Sequence, residues 1–152
     1  MNHSIPDMSV AQMRIGPHYW RMGDNRSFRT ERTAKTVDDA VAALRAAVER
    51  RGITVSAVID HAAAAQSAGV ALAGETVVIF GNPSVGTAVM LADARAGLDL
   101  PLRVLVRETA TGAELLYRDP HVLADEFDLS TTTETLDALA GVLAAVTAEA
   151  AA

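Results

Sequence analysis

The chain has 152 residues, half of them hydrophobic but only 4% aromatic, and no cysteine. That length suits a single core built from Val, Leu, Ile and Ala, while the missing thiols exclude disulfide frameworks, thiolate metal centres, iron–sulfur clusters and thiol nucleophiles. The formal net charge of −6 is uneven, with +3 on residues 1–35 and −9 on the remainder, a balance that repels phosphate backbones and speaks against nucleic acid as a partner.

Residues 1–26 show no sustained period and contain Pro6, Gly16, Pro17 and Gly23, which predicts an N-terminal arm ahead of one domain over 27–152. The arm holds Met1, Met8, Met13 and Met22 with His3 and His18. Their spacing matches no metal motif, and docking of Met, Tyr19 and Trp20 on a surface explains the same residues. The start lacks the basic and apolar stretches of a secretory leader, and the longest apolar run, Ala138 to Val146, is half a membrane span. A cytoplasmic chain without a membrane partner is expected.

From Phe28 to Thr33 the residues alternate with little apolar commitment, as in an edge strand. Thr36 and Asp39 form a cap, and Val37, Val41, Leu44 and Val48 mark one helical face up to Gly52. In the strand from Ile53 to Asp60, Ile53, Val55, Ala57 and Ile59 face one way. A short alanine helix from about Ala62 to Gly69 precedes Thr76–Phe80, a run apolar on both faces that reads as a central strand. Gly81–Gly86 is a turn into a helix from about Thr87 to Ala96. Leu102–Glu108 and Ala113–Arg118 flank Thr109–Gly112 as a hairpin, and a short helix follows from Pro120. Thr131 and Glu134 cap a last helix facing inward through Leu136, Leu139, Leu143 and Val146. The resulting expectation is an α/β (α+β) two-layer sandwich with a mixed five-stranded sheet, in the order βαβαβαββα.

Gly81 and Gly86 have the spacing of phosphate-loop glycines, but Thr87 stands where the lysine is needed, so a nucleotide triphosphatase is not expected. Asn82-Pro-Ser-Val-Gly86 lacks the first glycine of a nucleophile elbow, and no histidine pair has helical metal-ligand spacing. No metal and no cofactor are expected.

Thr36-Val-Asp-Asp-Ala40, Ile59-Asp-His61, Val78-Ile-Phe-Gly-Asn-Pro83, Gly97-Leu-Asp-Leu-Pro-Leu-Arg-Val-Leu-Val106 and Tyr117-Arg-Asp-Pro120 together resemble the bacterial family of domain of unknown function number 302, over roughly Phe28 to Phe127. The resemblance implies a small two-layer αβ fold, often dimeric, without a settled activity or cofactor. Some relatives carry a cysteine just before the asparagine–proline pair. Gly81 stands there in this chain, so thiol chemistry does not transfer.

The residues support a non-catalytic small-ligand-binding or interaction domain. The alternative is a small cofactor-free enzyme using acid–base chemistry on an organic acid or carbonyl compound. The candidate ligand-binding residues are His61, which titrates near neutrality, Asn82, which can orient a carbonyl, and Arg103, whose planar fork suits an anion. They are placed where two parallel strand ends meet. A homodimer is expected, since too few amphipathic helices exist to cover both faces of a five-stranded sheet.

Overall fold

The structure, a computed structural model, describes residues 27–152; the arm expected over 1–26 lies outside the described residues. Five strands, β1 (Phe28–Thr33), β2 (Thr54–Asp60), β3 (Glu75–Gly81), β4 (Leu102–Thr109) and β5 (Gly112–Arg118), form one sheet in the order β1-β5-β4-β3-β2. Between and after them run α1 (Val37–Arg50), α2 (His61–Ser67), α3 (Pro83–Ala92) and α4 (Thr133–Ala151), with 3-10 helices at Ala94–Asp99 and Pro120–Asp125.

The two layers, the five strands and their order along the chain are those expected, but the sheet is not mixed: every neighbouring pair is antiparallel. A helix between two strands permits parallel pairing without requiring it. Here α2 and α3 return the chain to the adjacent strand in the opposite direction, while α1 carries it across the sheet from one edge, β1, to the other, β2. Four buried residues, Ala40, Leu44, Ala47 and Val48, give α1 the stripe that lies on the sheet.

α4 packs beside α1 and buries Leu136, Leu139, Leu143 and Val146, as their spacing predicts. Fully burying each such Leu or Val contributes about 2 kcal/mol. The cap expected from Thr131 is not there: the N-cap is Thr132, which makes no side-chain cap and whose hydroxyl donates to the Leu129 carbonyl at 2.9 Å. The far end persists to Ala151: Lys35 Nζ donates to the Ala150 carbonyl at 2.9 Å, a cation where the helix dipole favours one. Among the described residues no helix is long and apolar enough to cross a membrane.

Two local departures have clear causes. A bulge between Val55 and Ala57 shifts the phase of β2. Val55 therefore pairs with buried Phe80 on the helix side, whereas Ala57 and Ile59 pair with Ile79 and Val77 on the other face. α3 begins at Pro83, four residues before the expected Thr87, because Asn82 Oδ1 accepts from Ser84 N at 3.0 Å and Pro83 fits the first helical position.

The sheet face turned away from α1 and α4 is organised in rows across the strands. One is an alternating charge ladder, Arg32, Glu114, Arg107 and Glu75, in which the two arginines pair with Glu114. The next is Thr30, Leu116, Leu105, Val77 and Ile59. Phe28, Arg118, Arg103, Ile79 and Ala57 make the third.

Candidate functional site

The structure does not bring His61, Asn82 and Arg103 to one cavity. Because β2 and β3 are antiparallel, Thr54 faces Gly81 and Asp60 faces Thr76. Asn82 and His61, the first residue of α2, thus lie at opposite ends of that pair, roughly 20 Å apart along the strands. Among the described residues there are no parallel strand ends, the premise for grouping them. Asn82 caps α3 and borders an apolar cavity of about 360 Å³ with Phe80, Val85, Leu102 and Leu139. Arg103 lies elsewhere, in a cleft on the third row, where it donates to the Asp99 carboxylate at 3.2 Å.

That cleft comes from a break in the sheet. The β3–β4 ladder continues to Phe80–Leu102 and the β1–β5 ladder to Phe28–Arg118, but the β4–β5 ladder between them stops at Leu105–Leu116. The end of β5 stays with β1, reinforced by Asp119 N–H donating to the Ser27 carbonyl at 2.8 Å. Counting back through the hairpin from Thr109–Gly112, the next hydrogen-bonded pair would set Arg103 directly opposite Arg118. Like charges facing each other across strands are destabilising, and here the strands part.

The gap is a cleft of about 410 Å³ that passes from the exposed sheet face toward the helix layer. Leu105, Leu116 and Val77 line it on one side of the sheet and Leu102, Leu123 and Leu143 on the other, with Arg103 and Arg118 on its walls. Arg118 stacks on the Phe28 ring, its guanidinium carbon 5.7 Å from the ring centre. Tyr117 also lines the cleft, and burial pushes its phenol above its ordinary value.

Asp119, at the end of the cleft, is tied down from several directions. Arg29 donates to one oxygen at 2.9 and 3.2 Å; the other lies 3.0 Å from His121 N and 2.6 Å from His121 Nδ1. Burial pushes the carboxyl up, but the hydrogen bonds from His121 and Arg29 outweigh it and hold Asp119 below the usual carboxylate range. The other ring nitrogen of His121 stands 2.7 Å from Asp137 on α4. Asp137 first and Asp119 second raise the imidazole above its ordinary value.

The cleft sets two guanidiniums, Arg103 and Arg118, and two carboxylates, Asp99 and Asp119, against an apolar lining. The His121 imidazole beside it is engaged by two carboxylates, Asp119 and Asp137. Among the described residues no group of three or more His, Asp or Glu could hold a metal ion. Of the three residues expected from sequence, Arg103 lines this cleft and His61 and Asn82 do not; Arg118, Tyr117, Phe28 and Asp119 line it as well. Arg118 was within reach, since the hairpin turn fixes the register that sets it against Arg103.

Comparison with known proteins agrees with this fold. A family model described as domain of unknown function DUF302 matches residues 28–146. Proteins named fluoride-specific ion channel FluC 1 from Brucella suis biovar 1 (strain 1330) and from Brucella abortus biovar 1 (strain 9-941) are each 33% identical over 106 residues. That stretch is 69% of this chain and 42% and 39% of theirs, so the chain spans about two-fifths of these curated relatives. A crystal structure of an uncharacterized conserved DUF302 protein from Bacillus stearothermophilus superposes with a TM-score of 0.75 at 15% identity, covering 81% of this chain and 97% of that one. At that identity the likeness concerns the fold.

Proposed function

The chain belongs to the DUF302 family, and from that premise we propose that it is a small-ligand-binding domain whose site is the cleft between β4 and β5. The ligand is an amphipathic organic anion, with its head between Arg103 and Arg118 and its tail along the leucines. One observation carries this reading: the ladder opens at the point where its register would oppose two guanidiniums. An anion bound there screens that repulsion, and a guanidinium pair suits a carboxylate or phosphate. The apolar lining with a few converging polar groups is the general form of a small-molecule pocket.

The channel named in the Brucella relatives is a property of those proteins. What supports a binding role in this chain is the cleft itself, which none of the channel's name describes.

Octanoate serves as a probe, having one carboxylate and a flexible apolar chain. Chemical-shift titration should place it against Leu105, Leu116 and Tyr117 with millimolar or tighter affinity, as expected for so small a ligand. Octanol, lacking the charge, should bind at least about tenfold more weakly, and Arg103→Gln with Arg118→Gln should remove that preference. Equal binding of octanoate and octanol, or shifts confined to other surfaces, would refute the site.

A further inference from the structure

We propose that His121 is a proton-operated latch that joins the 3-10 helix Pro120–Asp125 to α4 and so regulates the ligand cleft. This inference rests on the cleft being the binding site, though the latch itself does not.

The argument begins with the ring's two neighbours. A neutral imidazole has one N–H and one bare lone pair, whereas an imidazolium donates from both nitrogens. Nδ1 lies 2.6 Å from an Asp119 oxygen and Nε2 lies 2.7 Å from an Asp137 oxygen. Carboxylates accept only, so both contacts hold together only when the ring carries both protons. Removing one sets a nitrogen lone pair against an oxygen lone pair, and one contact must open.

Which contact opens follows from exposure. The Asp119 side chain is 13% exposed and is held by Arg29 of β1 and by the His121 backbone N–H; Asp137 is 64% exposed and projects from α4. Water replaces the outer partner at little cost, so the ring keeps Asp119 and releases Asp137. Among the described residues, Asp119, Asp137 and Arg29 behind Asp119 are the charged partners that face the imidazole from its own segment, from α4 and from β1.

The consequence reaches the cleft because its deep end is built from the two elements the latch joins. Pro120 and Leu123 come from the 3-10 helix and Leu143 from α4. With the latch closed this wall is fixed. With His121 neutral, its attachment to α4 rests on packing alone, and the cleft becomes looser toward an apolar tail. The direction is definite: ligand is held more tightly on the acid side of the His121 titration and released on the alkaline side.

The test follows the His121 ring by NMR from about pH 6 to about pH 8.5, an interval in which octanoate stays ionised. His121→Gln assigns the signal. The ring should titrate above an ordinary histidine, backbone signals of 120–125 should move with the same midpoint, and Asp137→Asn, a substitution at an exposed position, should lower that midpoint. Octanoate affinity should fall roughly threefold across the transition in the native chain and stay flat in Asp137→Asn, a size set by one exposed charged contact. A midpoint indifferent to Asp137→Asn would overturn the latch. A normal latch titration with pH-independent octanoate affinity would overturn its regulatory role. Failure of octanoate to bind at any pH would remove the ligand reading and with it the regulation, while the ring titration would still report the latch.

Discussion

Gly112 closes the β4–β5 hairpin with φ +145, and a Cβ built on it would stand 2.2 Å from the Thr33 carbonyl oxygen and 2.8 and 2.9 Å from Cα and C of Ala34. All three are backbone atoms at the exit of β1, so no rotamer change relieves the contact. Gly112→Ala carries two costs. An L-residue in that backbone region is destabilised by about 1–3 kcal/mol. Pushing the Thr33–Ala34 backbone aside opens the end of the β1–β5 ladder, losing one or two hydrogen bonds worth about 1 kcal/mol each. The total of about 2–5 kcal/mol is a large share of the 5–15 kcal/mol typical of a domain. Gly52→Ala separates the two, since Gly52 has φ +68 and nothing within 4 Å of its would-be Cβ, leaving only a conformational cost of about 1–2 kcal/mol. Urea unfolding followed by far-UV circular dichroism reads both variants, with midpoints lowered at unchanged slope. If Gly112→Ala is no more destabilising than Gly52→Ala, Thr33 and Ala34 do not lie against the hairpin and the β1–β5 register is wrong at that end.

Leu139→Asp places a carboxylate among buried apolar neighbours of α4 and should cost about 3–5 kcal/mol, read from the same denaturation curves. Glu149 is held below the usual carboxylate range by hydrogen bonds from Arg50 and then Arg51. Its contribution is therefore present above the unfolded glutamate value and lost as pH falls through the lowered one. Glu149→Gln should melt earlier than the native chain at neutral pH, and the two melting curves should converge in acid. The exposed sheet face has five strands and a footprint of roughly 550 Å² from ordinary strand spacing and length, below the about 800 Å² per partner of a standard interface. A homodimer formed through that face should show a concentration-dependent mass by light scattering at tens of micromolar, and a concentration-independent dimer would require another surface.

The parts of the fold that sequence exposes are those decided locally. Thr36, Asp39 and Gly52 mark both ends of α1, the Thr109–Gly112 turn sets the hairpin, and apolar spacing identifies the inner face of α4. Strand direction is decided by packing of distant segments, and no local signal in α2 or α3 distinguishes an antiparallel return from a parallel crossover. The phase of β2 is hidden because one extra residue at the bulge reverses every later side chain. The start of α3 was legible in Asn82–Pro83, a cap followed by a first-turn proline, but the same pair also describes a turn. For the site, Arg103 stands out as a charge on a strand, whereas Arg118 comes to the same cleft only after the chain has reversed.

The position of β1 bears on the order of assembly. β2, β3, β4 and β5 follow one another both along the chain and across the sheet, so each can pair with a neighbour made shortly before it. Among the described strands β1 comes first along the chain yet pairs only with β5, and the Arg29–Asp119 contact spans a separation of 90 residues. Closing so long a loop is slow compared with forming a local hairpin. During synthesis the first strand must therefore wait, with its polar, arginine-bearing face tolerating water, until nearly the whole domain has left the ribosome. The four-stranded meander is then the template, and the arrival of β1 is the step that completes the charge ladder over Glu114 and brings Phe28 to the wall of the cleft.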